Sequence, residues 1–262
     1  MKKVNPYVKK RRINRLIITS IQLLVLVLFI TLWELLSKYQ VIDSFLFSKP
    51  SSIFKLLKLY VQNGELWNHI KISTIETILG LIIGTFLGLI IAIILWWNNF
   101  LAKIFDPFLV VLNALPKTAL APILIIWAGT GIKGITVVAV SISIVITIIS
   151  GYAYFKNIEE DKIKMLRSFG ASKWQILIKL VLPANFANIV NIIKINIGMS
   201  WIGVIVGEFV VSRAGIGYLI VYGSQVFKMD LVMMGVLVLA IIAFVMYEIV
   251  NIIELQIKRK RR

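Results

Sequence analysis

Residues 156–189 read KNIEEDKIKMLRSFGASKWQILIKLVLPANFANI. Ile163, Leu166 and Phe169 recur at three-residue spacing until Gly170 breaks the pattern. Beyond it Trp174, Leu177, Ile178 and Val181 recur at helical spacing as far as Pro183. The spacing predicts two short amphipathic helices, parted by a glycine and closed by a proline, forming a hairpin at a membrane surface. Its exposed side offers apolar and basic groups together. A helix merely lying on lipid needs no such glycine break, whereas a docking surface for a cytoplasmic partner accounts for it.

The membrane is read from what flanks this stretch. The chain has 262 residues, 59% of them hydrophobic and only 16% charged, with a mean hydropathy of +0.91. A soluble domain carries about 45–50% apolar and about 25% charged residues, so one water-facing core cannot bury this much apolar surface. Six apolar runs, at 16–37, 77–97, 107–128, 135–155, 189–211 and 231–253, each suit a crossing of roughly 30 Å of hydrocarbon. The expected fold is an all-α integral membrane protein with six transmembrane helices and the hairpin (156–188) between the fourth and fifth. The run at 16–37 is too long for a signal-peptide core and reads as a retained anchor.

Charge sets the orientation. There are 29 Lys and Arg against 12 Asp and Glu, a net +17. Seven basic residues fall in the first 15 positions and five in the last five, which suits flanks held at an anionic leaflet better than a nucleic-acid surface. With the N-terminus inside, the inner segments hold 19 Lys and Arg and the outer segments eight. The expected order is a basic cytoplasmic tail (1–15), the first transmembrane helix (16–37), an extracytoplasmic amphipathic segment (38–76), a core with five transmembrane helices (77–254) and a second basic cytoplasmic tail (255–262). In the outer segment Pro50-Ser51-Ser52 opens a helix-like pattern. The lone His69 has no second metal-type ligand near it, so no metal site is expected, and the absence of cysteine excludes disulfides and thiolate chemistry.

Within the spans, Gly80, Gly84 and Gly88 stand at strict four-residue spacing, with a smaller pair at Gly203 and Gly207. Such stripes let another backbone approach closely, whether within the chain or across a dimer seam. Ionisable groups at membrane depth mark cavities or pairs. Glu34, Glu76 and Glu248 lie near span ends, leaving Lys117, Lys194 and Glu208. Lys117 follows Pro116 in a run interrupted again by Pro122, and each proline frees a carbonyl that must be buried in protein or face water. Lys194 either lines a pathway or snorkels to the inner surface. Glu208 either lines the pathway or pairs with Arg213 or Lys117. With one His, no Cys and no close carboxylate pair in the spans, no catalytic residue is expected.

Gly170 followed after nine residues by Leu180-Val181-Leu182-Pro183 resembles the cytoplasmic signature of inner-membrane permeases from binding-protein-dependent ABC importers. The Glu-Ala-Ala half of that signature is replaced here by Lys164-Met165-Leu166. Leu115 to Pro122, Trp201 to Glu208 and Gly215 to Ile220 look like the nitrate, sulfonate, taurine and bicarbonate group, over roughly residues 45 to 254. The resemblance implies a homodimer of permease subunits in the inner or plasma membrane, two cytoplasmic ATPase subunits and an extracytoplasmic solute-binding protein. It implies that Arg167, Gly170, Ala171, Ser172, Lys173, Trp174, Leu182 and Pro183 form the coupling hairpin that docks on the ATPase. Lys173, Lys179 and Arg167 complement either acidic groups of that partner or lipid phosphate. Pro116, Lys117, Pro122, Lys194, Trp201 and Glu208 are the candidates for the path of a small anion, with thiamine-precursor pyrimidines as the alternative cargo. No phosphate-cradling Gly-rich loop occurs in the chain, so ATP and magnesium are expected on the partner and no cofactor here. A secondary transporter would carry its own coupling chemistry and leave the hairpin without a purpose.

Overall fold

The computed structural model describes residues 6–260, and the ends of the two basic tails, 1–5 and 261–262, lie outside the described residues. Every regular element within them is helical. Helix α1 (Pro6–Lys38) carries the first apolar run, and a single turn, α2 (Ser44–Phe47), leads to α3 (Pro50–Gln62). Pro50 stands in the first turn of α3, where its missing N–H is no loss. The next helix, α4, runs Glu65–Trp97 and so begins well before residue 77. Gly64, in the left-handed region at φ 80°, turns the chain directly out of α3 into it.

The third apolar run is not one straight span. It divides into α5 (Asn99–Ala114), a 3₁₀ turn (Lys117–Leu120) and α6 (Ala121–Ala128), with 85° between the two halves. Pro116 forces the residue before it out of the helical region, and Leu115 is extended at φ −64°, ψ 136°. Apolarity runs through this break, so composition alone did not reveal it. After turns at Gly129 and Gly131 come α7 (Ile132–Lys156), α8 (Glu160–Ser168) and α9 (Lys173–Ile176), then a wider π segment (Leu177–Val181), α10 (Leu182–Ala184) and α11 (Phe186–Val211). Helices α12 (Ile216–Gln225) and α13 (Met229–Lys260) complete the chain. Five helices are long and apolar enough to cross a membrane, or six if the bent pair counts as one span. The chain is a multi-pass membrane protein.

Helix α7 is gripped between α4 and α11. A methyl group added at Gly80 would come 2.6 Å from the Ala139 side chain, one at Gly84 would overlap Ser143, and one at Gly88 would sit 2.5 Å from Thr147. From the other side Gly203 closes on the Ala139 backbone and Gly207 on Ile135. The stripes therefore pack within this chain, at separations only glycine permits. A second cluster joins α3, α11, α12 and α13 through Ile53, Trp201, Ile216, Leu219 and Met234. Helix α1 stays exposed along its apolar length and meets the rest mainly through α2 and α3.

Candidate functional site

At one end of the bundle the segment from α8 to α9 is built by its own caps. The N–H of Ala171 bonds the Leu166 carbonyl at 3.0 Å and that of Gly170 bonds Arg167 at 2.9 Å. With Gly170 at φ 76°, this is the left-handed C-terminal cap that glycine favours. Ser172 then starts α9 with a capping box, its Oγ accepting from the Gln175 N–H at 3.3 Å and Gln175 Oε1 accepting from the Ser172 N–H at 2.8 Å. Pro183 does not close the second helix, contrary to the sequence pattern. The turn before it widens, with the Leu182 N–H reaching back to Leu177, and Pro183 falls in the first turn of α10, where a missing donor is tolerated.

The inner side of this segment is fastened to the spans. Ile176, Leu177 and Val181 are buried with Ala92 and Phe155, while Ile163, Leu166, Ala171, Leu180 and Leu182 pack around them. Lys173 Nζ donates to the Trp97 carbonyl at the end of α4, lying 5.8 Å above the Trp96 ring and 5.3 Å above Trp97. Such contacts contribute about 0.5–1 kcal/mol at exposed sites. The outer side is bare. Phe169 is 81% exposed, Trp174 58% and Met165 54%, and Gly170 and Ser172 are exposed between them. A cavity of about 440 Å³ opens beside the segment, with Lys156, Lys164, Arg167 and Lys173 on its walls. The exposed apolar groups thus stand on a base packed against α4 and α7.

The pathway candidates are scattered. Pro116 and Pro122 are exposed, and Lys117 lies half-buried between them with Nζ donating to the Asn113 carbonyl at 3.3 Å. Lys194 is paired with α13, its Nζ 2.6 Å from Glu254 Oε2 and 2.9 Å from Asn251 Oδ1. Trp201 is buried in the cluster with α12 and α13. Glu208 is fully buried and bonds neither Arg213 nor Lys117; it accepts from Ser73 Oγ at 2.5 Å and from the Gly217 and Tyr218 N–H groups at 2.6 and 3.3 Å. Sequence reasoning placed Glu76 near a span end, yet it is 1% exposed, one turn beyond Ser73 on the face of α4 that meets Glu208. Two carboxyls thus lie buried in neighbouring spans. The signal available was the face His69, Ser73, Glu76, spaced four and three residues apart on α4. Among the described residues no group of three His, Asp or Glu is placed to hold a metal ion.

Residues 84–262 match the family model described as binding-protein-dependent transport system inner membrane component. A probable ABC transporter permease protein of Haemophilus influenzae is 27% identical over 225 residues, 86% of this chain and 91% of that protein. A putative aliphatic sulfonates transport permease protein of Bacillus subtilis is 25% identical, covering 88% and 84%. The fold is similar to that solved for the inward-facing MetNI methionine ABC transporter, with a TM-score of 0.63 at 17% identity, over 74% of this chain and 94% of that one.

Proposed function

The chain belongs to the family of binding-protein-dependent transport system inner membrane components, and from that premise we propose that two copies of it form the passage of an ATP-driven importer for a small anion of the sulfonate type. Two ATPase subunits drive it from the cytoplasm, holding ATP and magnesium, and a solute-binding protein delivers the cargo at the opposite face. The observation that carries this reading is the segment from α8 to α9, with its exposed Phe169 and Trp174 above a base packed on the ends of α4 and α7. ATPase closure pushes on that crown, and the anchored base turns the helices between inward- and outward-open arrangements. The 19-to-eight distribution of basic residues supports placing this end, and both termini, in the cytoplasm.

The cargo reading rests on Lys117. It lies in the break between α5 and α6, on a face this chain leaves uncovered, and irregular backbone at membrane depth belongs where it meets protein or water. In a symmetric pair the charge appears twice around one passage. The test is ATP-dependent uptake of a labelled alkanesulfonate into vesicles holding the complete complex. Lys117→Gln should assemble normally and lower the uptake, with Lys117→Arg keeping part of it. Uptake equal to the parent in both variants, or preference for a neutral pyrimidine, contradicts the anion path.

A further inference from the structure

Glu76 on α4 and Glu208 on α11 both lie in the interior with almost no exposure to solvent, and Ser73, one turn before Glu76, bonds Glu208. None of the ion pairs among the described residues involves either one. Every other group that bonds Glu208 is a donor. The Gly217 and Tyr218 N–H groups, in the first turn of α12, point at Oε2. Ser73 Oγ receives the Ile216 N–H at 2.7 Å, so its own proton goes to Oε1 of Glu208, 2.5 Å away. Glu208 is an acceptor throughout, an anion seated on a helix N-terminus. Glu76, one turn beyond Ser73 on the face of α4 that meets Glu208, is buried with no cation paired to it, and a second uncompensated negative charge beside the first costs far more than a neutral acid that brings its own proton. The second Glu76 oxygen, Oε2, is buried without a partner, which a neutral acid tolerates far better than an ionised one.

We propose that Glu76 and Glu208 hold one proton between them, and that this acid–carboxylate pair is the latch fixing α12 and the 212–215 loop to the α4–α11 core. The surrounding backbone is shaped to it. A side chain at Gly215 would overlap the Glu208 carboxyl, and one at Gly217 would begin 2.8 Å from Oε2. His69, on the same face of α4, accepts the Gly215 N–H on Nδ1 at 2.9 Å and stacks on Tyr218. One helix face thus meets the loop at Gly215 and α12 at Ile216 and Tyr218. The inference goes beyond the transport reading and depends on neither the cargo nor the ATPase.

The two carboxyls carry opposite hydrogen-bonding roles, so the same substitution should act differently at each. In Glu76→Gln the amide N–H replaces the acid proton and the latch holds. In Glu208→Gln an amide N–H₂ faces donors, and the folded-to-unfolded ratio should fall on the order of tenfold or more. The full chain in lipid nanodiscs, examined by infrared difference spectroscopy at neutral pH, should show a protonated-carboxyl stretch that Glu76→Gln removes while its unfolding midpoint stays at the parent value. Absence of that band in the parent, its survival in Glu76→Gln, or equal destabilisation by the two glutamines overturns the latch. If Glu208→Gln yields no protein, the band in the parent and in Glu76→Gln decides alone.

Discussion

At the scale of single residues, contact distances separate glycines that look alike in sequence. Gly84 and Gly203 face α7 with no room for a methyl group, while Gly198 on α11 has nothing within 4 Å of where one would go. Gly84→Ala and Gly203→Ala should each destabilise the chain by about 1–3 kcal/mol through overpacking. Gly198→Ala should be neutral, or stabilising by up to about 1 kcal/mol from helix propensity. Thermal unfolding in detergent distinguishes the two cases; equal shifts would contradict the packing. The four-residue stripe is visible in the sequence, but its partner is not, because Ala139, Ser143 and Thr147 carry no mark that pairs them with those glycines. The same limit hid Glu76: the face it shares with His69 and Ser73 could be read from spacing, but not the Glu208 and Ile216 groups that this face meets. Lys194 joins α11 to α13 through Glu254 and Asn251, so Lys194→Met should lower the unfolding midpoint in the same assay.

At the scale of elements, the segment from α8 to α9 separates folding from coupling. Gly170 has open space around it, so Gly170→Leu pays only for the left-handed backbone, roughly 1–2 kcal/mol, and the chain should still insert. Trp174 is the largest of the exposed apolar groups on this segment. Trp174→Ala should leave unfolding unchanged and weaken ATPase association by about 2 kcal/mol or more, measured by titrating purified ATPase onto the reconstituted chain. Val181, buried beneath, should behave in the reverse way, with Val181→Ala lowering stability first. The glycine break and the apolar spacing were legible because they are local signals, whereas the Ser172 cap was not singled out. The continuation past Pro183 was not legible either, since a π turn that absorbs a proline has no distinct composition. The break at Pro116 was half legible: the prolines were visible, and the 85° between the two halves was not.

At the scale of the whole molecule, run length and hydropathy were enough to read an all-helical membrane fold, because each crossing must satisfy its backbone internally. What they did not give is which helices touch. Helix α1 is as apolar as the others yet stands apart, while α4, α7 and α11 form the packed centre. Hydrophobicity reports the solvent a helix prefers, and small residues and buried polar groups report its neighbours.

The central claim is that the segment around Gly170 faces the cytoplasm and takes the ATPase. The chain has no cysteine, so Ser172→Cys gives a single thiol at its exposed tip. Labelling that thiol with a membrane-impermeant reagent tests the claim directly. The account predicts no labelling from outside intact cells, strong labelling in inverted vesicles stripped of ATPase, and protection when the ATPase is added back. Labelling from outside, or equal labelling with and without the ATPase, would contradict it.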